Sequence, residues 1–236
     1  MASELGSTEK MKNEFISSVS HELRTPLTAI KGWGETVLSS IDDPTITKKG
    51  IDVIISESER LSVIVEDLLD FSRMQSGNLK YNMVPCDIVA EVSEAVMTLT
   101  DTARKQGVFL EYTEPEVMPT VVADPGRMQQ VFVNIISNSL KYTSKGGHIL
   151  VDVKEEIGYV LIMVSDNGRG IPEADLDKVK QKFYKAEGSA RGSGIGLALA
   201  DEIVKNHGGR LEISSTENIG TTVSIMLPIK PKNDQN

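Results

Sequence analysis

The sequence predicts an α+β chain, a long helical hairpin followed by an α/β sandwich. Three observations predict it. From Phe15 to Leu68 apolar residues recur at three- and four-residue steps, the period of amphipathic helices, with no alternating stretch between them. From about Leu79 onward, helical patterns are interleaved with short runs of strand pattern bounded by turn residues. The chain has 236 residues, 39% of them hydrophobic, enough for one large domain or one domain plus a smaller module.

The first helix is expected from about Glu9 to Ser40, with Phe15, Ile16, Val19, Leu23, Leu27, Ile30 and Val37 on one face. The opening "MASELGST" is polar, small-residue material and reads as a flexible start. "DDPT", Asp42 to Thr45, is a turn signal. A second helix follows from about Thr45 to Met74, with Ile51, Ile54, Ser58, Leu61, Val65 and Leu68 on a stripe. Two helices with faces this broad cannot bury them against each other alone. A homodimer forming a four-helix bundle is the economical solution. "QSGN" at Gln75 to Asn78 ends the hairpin, giving a first domain over residues 9–76.

The second domain, residues 77–230, is predicted to hold a helix at Asp87 to Gln106 and strands at Phe109 to Thr113 and Val121 to Ala123. Asp124 then caps a helix running to about Thr143, with Pro125 in the first helical position, where a missing N–H costs nothing. Strands at Ile149 to Glu155 and Tyr159 to Ser165 flank a tight Ile157-Gly158 turn. A helix at Gly194 to Asn206 and strands at Arg210 to Ser214 and Thr221 to Leu227 complete the layers.

Charge and composition narrow the function. A formal charge of −9 argues against a general binder of nucleic acid or anionic membrane. The single cysteine, Cys86, excludes an intrachain disulfide and suits a reducing compartment. The longest apolar run, "YVLIMV" from Tyr159, is far too short to span a bilayer, so no direct membrane contact is expected.

Pro26 interrupts the first helix. It removes one backbone bond and crowds the carbonyl of Glu22, at about 3 kcal/mol. With Val19 at zero, the apolar residues fall between about −40° and +80° on the helical wheel, and His21 near 200°, on the opposite face. His21 is therefore not a core histidine. Glu22 is its neighbour on what is expected to be an exposed stretch of helix, and Thr25 lies one turn on. The proline either frees a carbonyl beside an exposed imidazole or simply shapes the bundle.

Three further stretches suit a nucleotide. In "NIISNSLKYT", Asn134, Asn138 and Lys141 share a helical face. Amide oxygens suit a hard cation such as Mg²⁺ and an ammonium suits phosphate, although such residues also furnish ordinary solvated faces. In "SDNGRGIP", Gly168 and Gly170 would let backbone approach a ligand closely, although Asn-Gly by itself marks only a turn. "RGSGIGLALADEIV" sets glycines before an amphipathic helix, whose free N–H groups and dipole favour phosphate oxygens. It is not a Rossmann fingerprint, because Leu197 stands where the third glycine is needed, and no Walker A pattern occurs.

Together these motifs resemble the sensor histidine kinases. "HELRTPL" is similar to their H box, "NIISNSLKYT" to the N box and "DNGRGIP" to the first glycine box. "KFYK", Lys182 to Lys185, is similar to the second half of the phenylalanine box, and "GSGIGLAL", Gly192 to Leu199, to the second glycine box. The resemblance covers nearly the whole chain and implies a Bergerat-type ATP-binding domain behind a dimerisation and phosphoacceptor hairpin. It implies His21 as phosphoacceptor, Glu22 as the base that orients it, and Thr25 as a residue for removing phosphate from a response regulator. It implies Asn138 as the Mg²⁺ ligand supported by Asn134, Lys141 on phosphate, Tyr142 near the nucleotide, Asp166 on the adenine amino group and Ile171 lining the base pocket. Lys185 and the second glycine box (Gly192, Ser193, Gly194, Ile195, Gly196 and Leu197) complete the implied ATP site. The implied partner is a response regulator receiver domain, and the implied setting is the cytoplasmic portion of a longer sensor.

The match has two departures. Lys180 stands where the phenylalanine box usually opens with Phe, and six residues separate Lys185 from Gly192, a short lid. Lys185 fills a place where Arg is common, and Ser193 keeps the hydroxyl of a common Thr. Two rival readings remain. A gyrase-like or mismatch-repair-like ATPase would carry Glu at the head of the N box, where Asn134 stands. A catalytically silent scaffold would bind nucleotide only as a regulatory ligand.

Overall fold

The computed structural model describes residues 2–77, 79–180, 184 and 194–229, with no description of the side chains of residues 2–15, 18 and 75. The chain divides into two compact units, one of residues 1–79 with 191–195 and the other of residues 80–190 with 196–236.

The first unit is an antiparallel hairpin of α1 (Ala2–Ser39) and α2 (Pro44–Gln75). Asp43 caps α2, its side chain accepting the N–H groups of Thr45 and Ile46 at 2.9 and 3.1 Å, with Pro44 in the first helical position. Helix α1 begins earlier than expected, at Ala2 rather than Glu9. It also runs through Pro26 without a break. Gly50 is buried because a β-carbon there would meet Val37 Cγ2 and, at 3.2 Å, Trp33 Cε3, so its lack of a side chain lets α2 approach α1.

The apolar stripe of α2 lies to one side of the predicted one. Ile64 and Phe71 are buried and Ile54, Leu61 and Leu68 half-buried, whereas Ile51, Ser58 and Val65 are exposed. The apolar face is wider than a single partner helix can cover, so one edge of it stays in solvent. On α1 the same is true of Ile16 and Leu27, each 52% exposed.

The second unit is a five-stranded mixed sheet with helices on one face. Its elements are β1 (Val84–Cys86), α3 (Ile88–Gln106), β2 (Phe109–Tyr112), β3 (Val121–Ala123), α4 (Pro125–Tyr142), β4 (His148–Glu156), β5 (Tyr159–Asp166), α5 (Glu173–Leu176), α6 (Gly196–Asn206), β6 (Arg210–Thr216) and β7 (Gly220–Pro228). Strand order is β2-β4-β5-β7-β6, with β2 parallel to β4 and the other pairs antiparallel. Period-2 alternation sends Ile149, Val151 and Val153 of β4, and Val160, Ile162 and Val164 of β5, into the core. Helices α3, α4 and α6 meet them with Val92, Phe132, Ile136, Leu199 and Ile203, all essentially inaccessible.

Two small elements carry no sequence signal. β1 is three residues with Pro85 in the middle, and it pairs antiparallel with β3 in a separate ribbon. A proline is tolerated in so short an edge strand. α5 is a single turn after Pro172. Helix α6 starts at Gly196 and not at Gly194, because Gly194 has φ +69°, outside the right-handed helical region.

Candidate functional site

Asp166, the last residue of β5, anchors the site. Three donors from three elements fix its carboxylate. Oδ1 accepts the backbone N–H of Gly168 at 3.0 Å and of Thr221 at 3.3 Å; Oδ2 accepts the Ser139 hydroxyl at 2.9 Å. The strand brings the carboxylate to the end of α4, while the loop after it turns back over Tyr142. The backbone N–H of Arg169 donates to the Tyr142 carbonyl at 3.2 Å, and a β-carbon on Gly168 would lie 2.5 Å from that oxygen. Gly168 thus allows a backbone approach that no other residue could make.

The same loop is bound to the β6–β7 hairpin. Asn218 N–H donates to the Arg169 carbonyl at 2.6 Å, and Ile171 N–H donates to Ser215 Oγ at 2.8 Å. Ser215 in turn donates to the Gly220 carbonyl at 2.8 Å and lies 2.9 Å from the Thr221 hydroxyl. Gly170 and Gly220 both have positive φ, and a β-carbon would fall on the Thr216 carbonyl oxygen in the first case and the Asp166 carbonyl oxygen in the second. Ser139, Ser215, Gly220 and Thr221 are therefore parts of the site that sequence reasoning missed. Their hydroxyls and backbone sit on helix and strand positions that look ordinary in sequence, and only the packing of β6–β7 onto the loop reveals them.

Along α4, Asn134, Asn138 and Lys141 are all half-buried. The Asn134 amide nitrogen is buried with no hydrogen-bond partner among the described residues, and its side chain lies beside Gly196, at the first turn of α6. The structure thus brings Asn134 of the N box against Gly196 of the second glycine box. Tyr142 carries two cations on its ring, Lys141 Nζ at 4.7 Å and the Arg169 guanidinium at 4.5 Å from the centroid. These charges form a positive edge suited to phosphate. The Asn138 amide oxygen suits Mg²⁺, a hard cation that keeps waters and phosphate oxygens in its shell and needs few protein ligands. No group of three or more His, Cys, Asp or Glu poised for a metal occurs among the described residues. Ile171 and Leu197 are half-buried, and Gly194 has a left-handed backbone just before Ile195 and the start of α6. Lys185, Gly192 and Ser193 lie outside the described residues, as does most of the "KFYK" stretch.

Lys180 keeps its charge engaged. Its Nζ donates to the Leu211 carbonyl at 3.1 Å and stands 3.9 Å from Asp201 Oδ1, while Lys205 holds Asp201 Oδ2 at 2.6 Å. The buried Asp201 carboxylate on α6 is thus flanked by two ammonium groups.

On α1, His21 is exposed, as the wheel predicts. Thr25 is also exposed, and its hydroxyl donates to the His21 carbonyl at 3.1 Å. Glu22 corrects an expectation: it is buried, 9% exposed, and not on an exposed stretch. One residue turns the helix 100°, which carries Glu22 from the His21 side to the margin of the apolar stripe. Pro26, one turn later, is buried as well.

Residues 11–77 match the His Kinase A (phospho-acceptor) domain, and residues 123–231 match the histidine kinase-, DNA gyrase B-, and HSP90-like ATPase domain. The chain is 36% identical to the sensor histidine kinase WalK of Bacillus subtilis over 96% of its own length and 38% of that protein. It is 30% identical to the signal transduction histidine-protein kinase BaeS of Escherichia coli, covering 98% of the chain and 50% of that protein. The chain therefore spans half or less of the length of these relatives. Its fold is similar to that of the Acinetobacter baumannii histidine kinase AdeS, with TM-score 0.64 and 24% identity over 89% of this chain and 98% of that one. It is also similar to histidine kinase ThkA in the crystal structure of its complex with the response regulator protein TrrA, with TM-score 0.68 and 24% identity over 96% of this chain and 64% of that one.

Proposed function

The chain belongs to the two-component sensor histidine kinases, and from that premise we propose that it is their ATP-dependent catalytic core, phosphorylating His21 and passing the phosphoryl group to an aspartate of a response regulator. The observation that carries this reading is that one chain holds both an exposed His21 on a helical hairpin and an Asp166 carboxylate fixed by three donors beside a glycine-rich loop.

The adenine amino group would donate to Asp166, an acceptor-only group when ionised, and Ile171 would line the base. Lys141 and the second glycine box before α6 would hold phosphates, with Asn138 as the protein ligand of Mg²⁺. Bound there, the ion would offset the charge of the phosphates. A ring nitrogen of neutral His21 supplies the lone pair. Its bond to the γ-phosphorus forms as the bond to the oxygen of the departing ADP breaks, so that positioning and charge stabilisation carry most of the catalysis. Glu22 would accept the proton on the other ring nitrogen and orient the ring, and its burial strengthens such a contact.

The exposed apolar edges of α1 and α2 support a homodimer in which two hairpins form a four-helix bundle. We place the domain boundary at residues 76/77 and the chain in the cytoplasm as part of a longer sensor; no helix among the described residues is long and apolar enough to cross a membrane. The water-activating ATPase alternative is disfavoured by Asn134, whose amide cannot take a proton from water. Incubation with γ-labelled ATP decides the matter. The expected product is acid-labile, base-stable label that is absent from His21→Gln although that variant still binds ATP. Undiminished labelling of His21→Gln would overturn the assignment.

A further inference from the structure

Ser139 follows Asn138 on α4, and the reading above uses it only as one of three donors to Asp166. Its side chain is 4% exposed, and its hydroxyl donates to Asp166 Oδ2 at 2.9 Å. The other carboxylate oxygen is already engaged by two backbone N–H groups, those of Gly168 and Thr221. These two donors approach one oxygen from the loop after β5 and from the start of β7. A turn about the terminal bond, a torsion with broad wells, moves both oxygens, and these two donors resist it at Oδ1 only. Ser139 is the donor that holds the second oxygen.

The chemistry of the hydroxyl adds to this. Serine has one proton to donate, and here it goes to an ionised acceptor, the stronger kind of hydrogen bond. The Ser139 oxygen is then left with lone pairs alone. The whole Asp166–Ser139 pair is an acceptor-only edge, with Oδ2 keeping a second lone pair for an incoming donor.

We propose that Ser139 is a positioning residue for base recognition in this chain, fixing the Asp166 carboxylate so that Oδ2 meets the exocyclic amino group of adenine. The proposal rests on the reading of Asp166 as the adenine acceptor. Because Ser139 acts through Asp166, its effect is confined to the amino group of the base and does not extend to ribose or phosphate.

The test compares two nucleotides on two proteins. Affinities of ATP and of purine ribonucleoside triphosphate, which has hydrogen in place of the amino group, are measured by calorimetry for the native chain and for Ser139→Ala. Loss of the hydroxyl is expected to weaken ATP about tenfold or more, the worth of one hydrogen bond to a charged group. The amino-free analogue should bind both proteins within about twofold, so the preference for ATP over the analogue shrinks. A parallel loss for both nucleotides would mean that Ser139 only supports the fold, and an unchanged ATP affinity would also overturn the proposal. If Ser139→Ala does not fold, Ser139→Cys gives the same ratio with a poorer donor, and an undiminished preference for ATP would again refute it. If the native chain shows no preference for ATP over the analogue, the reading of Asp166 itself fails, an outcome distinct from failure at Ser139 alone.

Discussion

His207 Nε2 accepts the backbone N–H of Asp124 at 2.9 Å, across 83 positions of sequence. Its other ring nitrogen, Nδ1, faces the Ile203 carbonyl at 2.7 Å and donates to it. The ring is therefore held neutral between the last turn of α6 and the cap of α4, the two helices that carry the glycine box and the N box. Tyr81 closes edge-on against the imidazole, ring centroids 5.3 Å apart, and Asn82 donates its N–H to Asp124 Oδ2 at 2.8 Å. One buried histidine thus ties these two helices to the segment that enters the second unit.

Burial pushes the His207 pKa below the ordinary value of 6.5, against smaller upward pulls from the Ile203 carbonyl and Asp124. Protonation would also cost the ring its acceptor at Nε2. The unfolded chain takes up this proton near pH 6.5 while the folded chain resists it. Stability is then complete above that pH and falls as the pH drops from it toward the lowered folded value. Urea midpoints measured between about pH 7.5 and pH 5.5 should fall more steeply for the native chain than for His207→Gln. Parallel profiles would mean that His207 titrates alike in both states.

Gly220 and Gly158 share a backbone constraint but not a neighbourhood. Both have positive φ, yet a β-carbon on Gly220 lands on the Asp166 carbonyl oxygen, while nothing lies within 4 Å of one on Gly158. Gly158→Ala should lower stability by about 1 kcal/mol through backbone strain alone and leave ATP affinity unchanged. Gly220→Ala must move backbone at Asp166, so it should cost about 2 kcal/mol or more and weaken ATP at least about tenfold. Thermal melts and nucleotide titrations on the pair check this. Equal effects would mean that the Asp166 turn yields easily.

We expect Thr25 to separate two activities. Its proton is used on the His21 carbonyl, which leaves the hydroxyl oxygen to accept from a water near the imidazole. Alanine is the better helix former at an exposed position, so Thr25→Ala should not loosen α1. We expect that variant to keep autophosphorylation at His21 while losing phosphatase activity toward the cognate regulator. Assaying both on one preparation decides it. If they fall together, Thr25 serves docking or the local fold.

Much of this protein was legible in sequence because its signals are local. Helical period, the turn at Asp42 to Thr45, the Asp124-Pro125 start and the Gly158 turn depend on neighbours a few residues away, so the hairpin and most strands follow from them. The position of His21 opposite the apolar stripe follows from angle alone. What only the tertiary structure decided are features set by partners distant in the chain. The width of an apolar face exceeds what one neighbour covers, so the buried side of α2 centres on Ile64 and Phe71 in place of Ile51 and Val65. Glu22 sits at the margin of such a face, and its burial depends on packing and not on period. The donors that hold Asp166 come from positions 27, 2 and 55 residues away. A serine in a helix and a backbone N–H at the start of a strand have no distinguishing pattern in sequence. They become a site because the sheet brings them to one carboxylate, whose charge needs every donor within reach.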